Sequence, residues 1–239
     1  ERLVGSEMRI RNRATGSPDE KTAVVLGNES LLSPALSAIE GTNKGWNVTM
    51  GYPLENTPTA DFFELFFQLH LNVKNGFFFY KNLKNLGTSP WCQSLFKFHH
   101  LDLEAHLKDI ESKNLYRFPQ NKLYATEDFQ AIDHCFFGPF KTIASFLKQI
   151  VRICDHFILF LEQSKEESAP LHLSYFQKFK ALFNRLETMH HKHAFIENLP
   201  LLFLVFKSLI KDEKIDFLGE PLEGIQLSLI HISEPTRRS

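Results

Sequence analysis

Cysteine is scarce: the 239 residues hold three, Cys92, Cys135 and Cys154. An odd number without metal-type spacing excludes a disulfide framework and a cysteine-rich zinc site. The thiols read as reduced and buried, as in a cytoplasmic protein. A surplus of positive charge is missing too. Lys and Arg number 27 against 28 Asp and Glu, a formal net charge of −1. No chain-wide basic field announces nucleic acid. No apolar run reaches the roughly 20 residues of a bilayer span. The longest, Leu199 to Ile210, is broken by Lys207 and reads as a buried helix, so no membrane partner is expected. The chain opens on Glu1 rather than Met and reads as a piece of a longer protein, so the lack of a targeting segment decides little.

Catalytic signatures are also wanting. No Gly-rich loop runs into Lys-Ser or Lys-Thr, and no nucleophile elbow is present. Pro18-Asp19-Glu20-Lys21 packs into four consecutive residues what a metal-dependent nuclease spreads across a sheet, so it cannot converge on one metal. Asp212-Glu213-Lys214 fails for the same reason. His190, His191 and His193 have no Cys or acidic residue at a supporting spacing and read as a solvated helix end, as do His99 and His100. The spacing assigns no catalytic residue, metal or cofactor.

What the chain does have is phenylalanine, 24 copies, most at helical spacing and so read as core rather than as base-stacking platforms. Residues 1–20 form a polar segment. Thr22–Leu26 is a short β-branched run, Gly27-Asn28 a turn, and Leu31 to Ile39 repeats at helical spacing. Trp46–Met50 reads as a second strand, expected to pair with the first in parallel through a right-handed crossover. From there helices dominate. Thr57 is an N-cap with Pro58 at the first helical position, and Thr59–Val73 the helix body. The run from Phe77 to Gly87 reads as the next helix, residues 91–113 as one or two shorter ones, and Asn114–Tyr124 as loop. Phe140–Ser164 is the strongest helical pattern. Two further helices follow over 171–190 and 194–211, with Pro200 as a later start for the second. Ile215–Gln226 returns to a short strand and a Gly/Pro-shaped loop.

The expected fold is therefore mainly α with a small α/β element. A partial α/β domain over 21–57 is interrupted by a helical domain over 58–213 and resumed over 214–226.

Three segments carry a resemblance: "TAVVLGNESLL" (Thr22–Leu32), "NVTMGYPLENTP" (Asn47–Pro58) and "IDFLGEPLEGIQ" (Ile215–Gln226), with "FFFYKNLKNLGTSPW" between the last two. Together they resemble the middle of AddB-like helicase-exonuclease subunits of Bacteroidetes-type bacteria, large proteins that end in a PD-(D/E)xK nuclease domain. The resemblance implies that the strands belong to a RecA-like domain of superfamily-1 helicase type and that the helices are its inserted domain. It implies a role in DNA double-strand-break repair and recombination, with ATP and Mg2+ as cofactors of the parent and an AddA-like helicase as partner subunit. Family-motif residues are Glu29, Gly219, Glu220, Pro221, Leu222 and Gln226. Candidate DNA contacts are Asn47, Thr49, Met50, Gly51 and Tyr52, residues that turn formation would equally explain. Active motors of this type place an arginine after the first strand to reach the γ-phosphate. Here the turn is Gly27-Asn28-Glu29, so no ATP-site residue carries over and the piece alone is expected to be inactive. A different class of function also fits: a helical protein-interaction domain with a structural α/β cap.

After Gln226 the family pattern Met-Gly-x-Leu-Glu-Thr-Arg is absent. "LSLIHISEPTR" (Leu227–Arg237) instead agrees, residue by residue, with the translation of a transposase-type sequencing adapter. Residues 227–239 are accordingly expected to be foreign to the protein. Setting them aside removes Glu234, Arg237 and Arg238, taking Lys+Arg from 27 to 25 and Asp+Glu from 28 to 27, a net −2.

Overall fold

The computed structural model describes residues 23–27, 31, 35, 46–48, 52–101, 103–123, 131–166, 168–193, 196–215 and 225–229. The chain is mainly helical and divides into two compact units. One joins Glu1–Asn56 to Glu213–Ser239; the other is Thr57–Asp212. The polar segment 1–20, most of the helix expected over Leu31–Ile39 and the Gly/Pro loop before Ile225 lie outside the described residues.

The first unit contains the strands β1 (Ala23–Leu26), β2 (Trp46–Val48), β3 (Tyr52–Pro53), β6 (Lys214–Ile215) and β7 (Ile225–Leu229). β1 and β2 do not pair with each other as expected. β7 lies between them, parallel to both, in the order β1-β7-β2. The connection from Leu26 to Trp46 is long enough to step over an intervening strand. Sequence neighbours thus became next-nearest neighbours in the sheet. Three ladder positions of β7, Leu227–Leu229, come from the adapter-like tail. Strand pairing uses backbone groups that any non-proline residue offers, so the ladder does not bear on their origin. β3 and β6 pair antiparallel, Tyr52 with Ile215 and Pro53 with Lys214. The Leu54 N–H continues the clasp by donating to the Glu213 carbonyl at 2.9 Å.

The second unit is built around α1 (Pro58–Leu71). Thr57 caps it, its Oγ1 accepting from the Ala60 N–H at 3.2 Å, and Pro58 starts it without losing a hydrogen bond. α1 is buried on more than one side, which is why its apolar residues come in adjacent pairs. Phe62, Phe63, Phe66 and Phe67 are all fully buried. A β4–β5 ribbon follows α1, with β4 at Phe77–Phe79 and β5 at Arg117–Pro119. Between the ribbon strands run α2 (Tyr80–Gly87), α3 (Pro90–Phe98) and α4 (Leu103–Ser112). α5 (Ile132–Phe137) is short. α6 (Ile143–Gln163) and α7 (Ala169–His193) form an αα-hairpin, and α8 (Leu199–Asp212) closes the unit, starting at Leu199-Pro200.

Two expectations are corrected here. Phe77–Phe79 is strand, not the first turn of a helix, and part of the stretch read as loop is β5. The cause is Asn75-Gly76. Both have positive φ, 52° and 76°, and Lys74 and Phe77 exchange backbone hydrogen bonds of 3.0 and 3.1 Å across them. This is the geometry of a two-residue turn with both central residues left-handed, for which Asn-Gly is the favoured pair. The turn sends Phe77 out in an extended conformation, and Phe78 pairs with Phe118 as the buried rung of the ribbon.

Phenylalanine rings knit the core of the second unit together. Phe62 meets Phe136, Phe157 and Phe176, while Phe63 meets Phe179 and Phe183. Phe67 meets Phe146, Phe203 and Phe206. α1 therefore touches α5, α6, α7 and α8 through rings, and each such ring buried contributes on the order of 2–3 kcal/mol. α6 buries Phe146, Leu147, Ile150, Cys154, Phe157 and Leu161 of the face read from sequence; Ile153 is buried too, while Val151 and Ile158 stay half-buried.

Candidate functional site

The residues singled out from sequence fall in the first unit. Asn47 sits at the centre of β2, in register with Gln226 of β7, which in turn lies opposite Ala23 of β1. The second and last motif segments thus meet as register partners on neighbouring strands of one parallel sheet. Tyr52 opens β3 and pairs with Ile215. Because the strands are parallel, β1 and β2 release the chain at the same end of the sheet, the end where open α/β sheets bind ligands. Glu29, Thr49, Met50, Gly51, Gly219, Glu220, Pro221 and Leu222 lie outside the described residues.

In the second unit the buried polar side chains are few, and two of them share one task. α5 ends at Gly138, where the backbone becomes extended. The His70 Nε2 donates to the Phe136 carbonyl at 2.9 Å, and the Gln149 Nε2 donates to the Gly138 carbonyl at 3.3 Å. These carbonyls leave a helix end and would otherwise be buried without partners. Since a carbonyl only accepts, the His70 proton resides on Nε2 and Nδ1 holds the lone pair. The ring is enclosed by Phe66, Phe78, Phe140 and Phe146. Burial pushes its pKa down to about 4, the bond to Phe136 opposing weakly. His70 is thus neutral near pH 7 and serves as a fixed donor. It lines a cavity of about 290 Å³ together with Val73, Gln120, Pro139 and Phe140. No nucleophile lines that cavity with it.

A second cavity, about 440 Å³, is walled by Phe62, Leu65 and Trp91 with Asp61, Asn85 and Ser89 supplying polar atoms. Burial and the neighbouring Glu64 hold the Asp61 carboxyl above its ordinary range, against the pull of Lys207. Asp61 is the one titratable side chain lining it, so it lacks the second group that acid–base chemistry needs. Glu64 is itself engaged by Lys207.

Cys92, Cys135 and Cys154 are buried and free. Burial pushes the Cys92 and Cys154 thiols far up, so neither offers a thiolate. His190 and His191 stand in the last turn of α7. Among the described residues no group of three or more His, Cys, Asp or Glu side chains could hold a metal ion, and no helix is long and apolar enough to cross a membrane. Against known proteins, the chain matches no family model, no curated protein and no solved structure.

Sequence reasoning passed over the β4–β5 ribbon. Its signal was present as the Asn75-Gly76 dipeptide and as two stretches free of acidic residues on either side of α4.

Proposed function

We propose that this chain is an internal piece of an AddB-like helicase-exonuclease subunit that processes DNA double-strand breaks. Its own share of that work is DNA contact and scaffolding. The α/β unit would be part of a RecA-like domain, and the helical unit the domain inserted into it. One observation supports this reading above the rest. Asn47 and Gln226, from segments either side of the whole helical unit, are register partners on neighbouring strands of one parallel sheet. An inserted domain demands such a return strand, whereas two consecutive domains would not need one.

DNA would run past the end of the sheet where β2 gives way to Thr49–Tyr52. ATP and Mg2+ would serve the parent rather than this piece, because Gly27-Asn28-Glu29 supplies no arginine for a γ-phosphate. An AddA-like helicase subunit would be the partner. The purified chain is expected to hydrolyse neither ATP nor DNA with Mg2+ present. Metal-dependent cleavage co-purifying with the chain would refute that. Salt titration of DNA binding separates this role from a helical protein-interaction domain, because phosphate contacts release counterions and weaken steeply with salt.

A further inference from the structure

The net charge of −1 conceals a strongly uneven distribution. From Leu65 to Leu101 the chain has no Asp or Glu, and again none from Ser112 to Thr126. The fold brings these two stretches together as the β4–β5 ribbon. Opposite residues of an antiparallel pair share a face, and successive pairs alternate. Phe78 and Phe118 face the core, so Phe77, Phe79 and Arg117 face outward. Phe77 is 40% exposed and Tyr116, beside the ribbon, 77%. The Tyr116 ring leans on Phe79 at 5.6 Å rather than entering the core. Leu115 adds a smaller exposed apolar surface.

Cations flank these rings along the chain. Lys74 precedes the turn, Lys81 begins α2, Arg117 lies on β5 and Lys122 follows it; all four are exposed. Among the described residues none of the four is paired with a carboxylate. Among the described residues, Glu111 is engaged by Lys84 and Tyr80, and Asp109 by Lys113.

We infer that the outer face of the β4–β5 ribbon binds single-stranded nucleic acid, with bases stacked on Tyr116 and Phe77 and phosphates held by Lys74, Lys81, Arg117 and Lys122. Exposed flat rings set among unpaired cations suit a strand whose bases are free to stack. A duplex would use the cations and leave the rings idle. An anionic lipid surface could use the same cations, but two rings and one leucine on a short ribbon offer it little apolar surface to bury. This inference does not depend on the helicase-nuclease reading.

The test uses the full chain and a fluorescein-labelled oligodeoxythymidine of about 20 nucleotides, followed by anisotropy over a salt series. Four phosphate contacts give a log–log salt slope of about −2 to −3. Tyr116→Ala and Phe77→Ala should each weaken binding about tenfold with unchanged far-UV circular dichroism. The double variant Lys74→Glu, Arg117→Glu should flatten the slope, while Lys97→Glu, on α3, should leave binding unchanged. Oligonucleotide binding that ignores the ribbon substitutions overturns the inference yet leaves DNA contact elsewhere on the chain standing. Absence of oligonucleotide binding, or retention on phosphatidylserine vesicles in its place, also overturns it. Ribbon-dependent binding by a chain whose gene encodes no helicase or nuclease would instead count against the family reading alone.

Discussion

At the scale of single residues, His70 is the most informative side chain. Its folded pKa, lowered from 6.5 to about 4, means the unfolded chain binds the proton more readily. Stability from His70 is therefore complete above about pH 6.5 and falls as pH drops toward 4, by on the order of 3 kcal/mol. His99 and His172 are lowered by burial as well and act in the same direction. Urea denaturation at stepped pH should show this slope, and His70→Phe should flatten it. The same variant leaves the Phe136 carbonyl buried without its donor and should cost about 1–3 kcal/mol at pH 7. Gly138 is constrained for a different reason. A Cβ there would sit 2.5 Å from the His134 carbonyl oxygen, a backbone atom with little room to yield. Gly138→Ala should lower stability by about 1–3 kcal/mol, read as a fall in thermal midpoint. His70 is unremarkable in sequence, because its partner is a backbone carbonyl 66 positions away.

At the scale of elements, local chemistry decided what was legible. Thr57-Pro58 announces α1 because capping and proline geometry act within one turn. Thr57→Ala should cost about 1 kcal/mol in thermal unfolding. Pro200 likewise marks the start of α8, at Leu199. Phe77–Phe79 reads as helix in sequence because three consecutive rings followed by Leu83 and Leu86 satisfy a helical pattern, while the turn that overrides it occupies only Asn75 and Gly76. Gly76→Val puts a β-branched residue at φ 76° and should shift the melting transition down. A smaller effect than Thr57→Ala would argue against this role for the turn. The order β1-β7-β2 was illegible for another reason. It is a pairing between distant parts of the chain, and a four-residue strand does not encode which neighbour it will take.

At the scale of the whole molecule, the sequence suggests helices interrupting a strand-built region, and the chain divides into a discontinuous unit that holds the parallel strands and a continuous helical one. The candidate site was less accessible. Of the contacts expected around β2, Asn47 and Tyr52 occupy ladder positions. The ribbon, which carries the exposed rings Phe77 and Tyr116 with unpaired cations, is hidden by a whole-chain charge that averages basic and acidic stretches. Function is thus better sought in local charge than in the net value of −1. The central claim, that this is a piece of a helicase-nuclease cut just after Gln226, is tested most directly by an adapter-free read of the gene through that codon. The codons after Gln226 are expected to leave "LSLIHISEPTR" for the family's Met-Gly-x-Leu-Glu-Thr-Arg pattern, with a nuclease motif downstream. The same read ending in "LSLIHISEPTRRS" would contradict it.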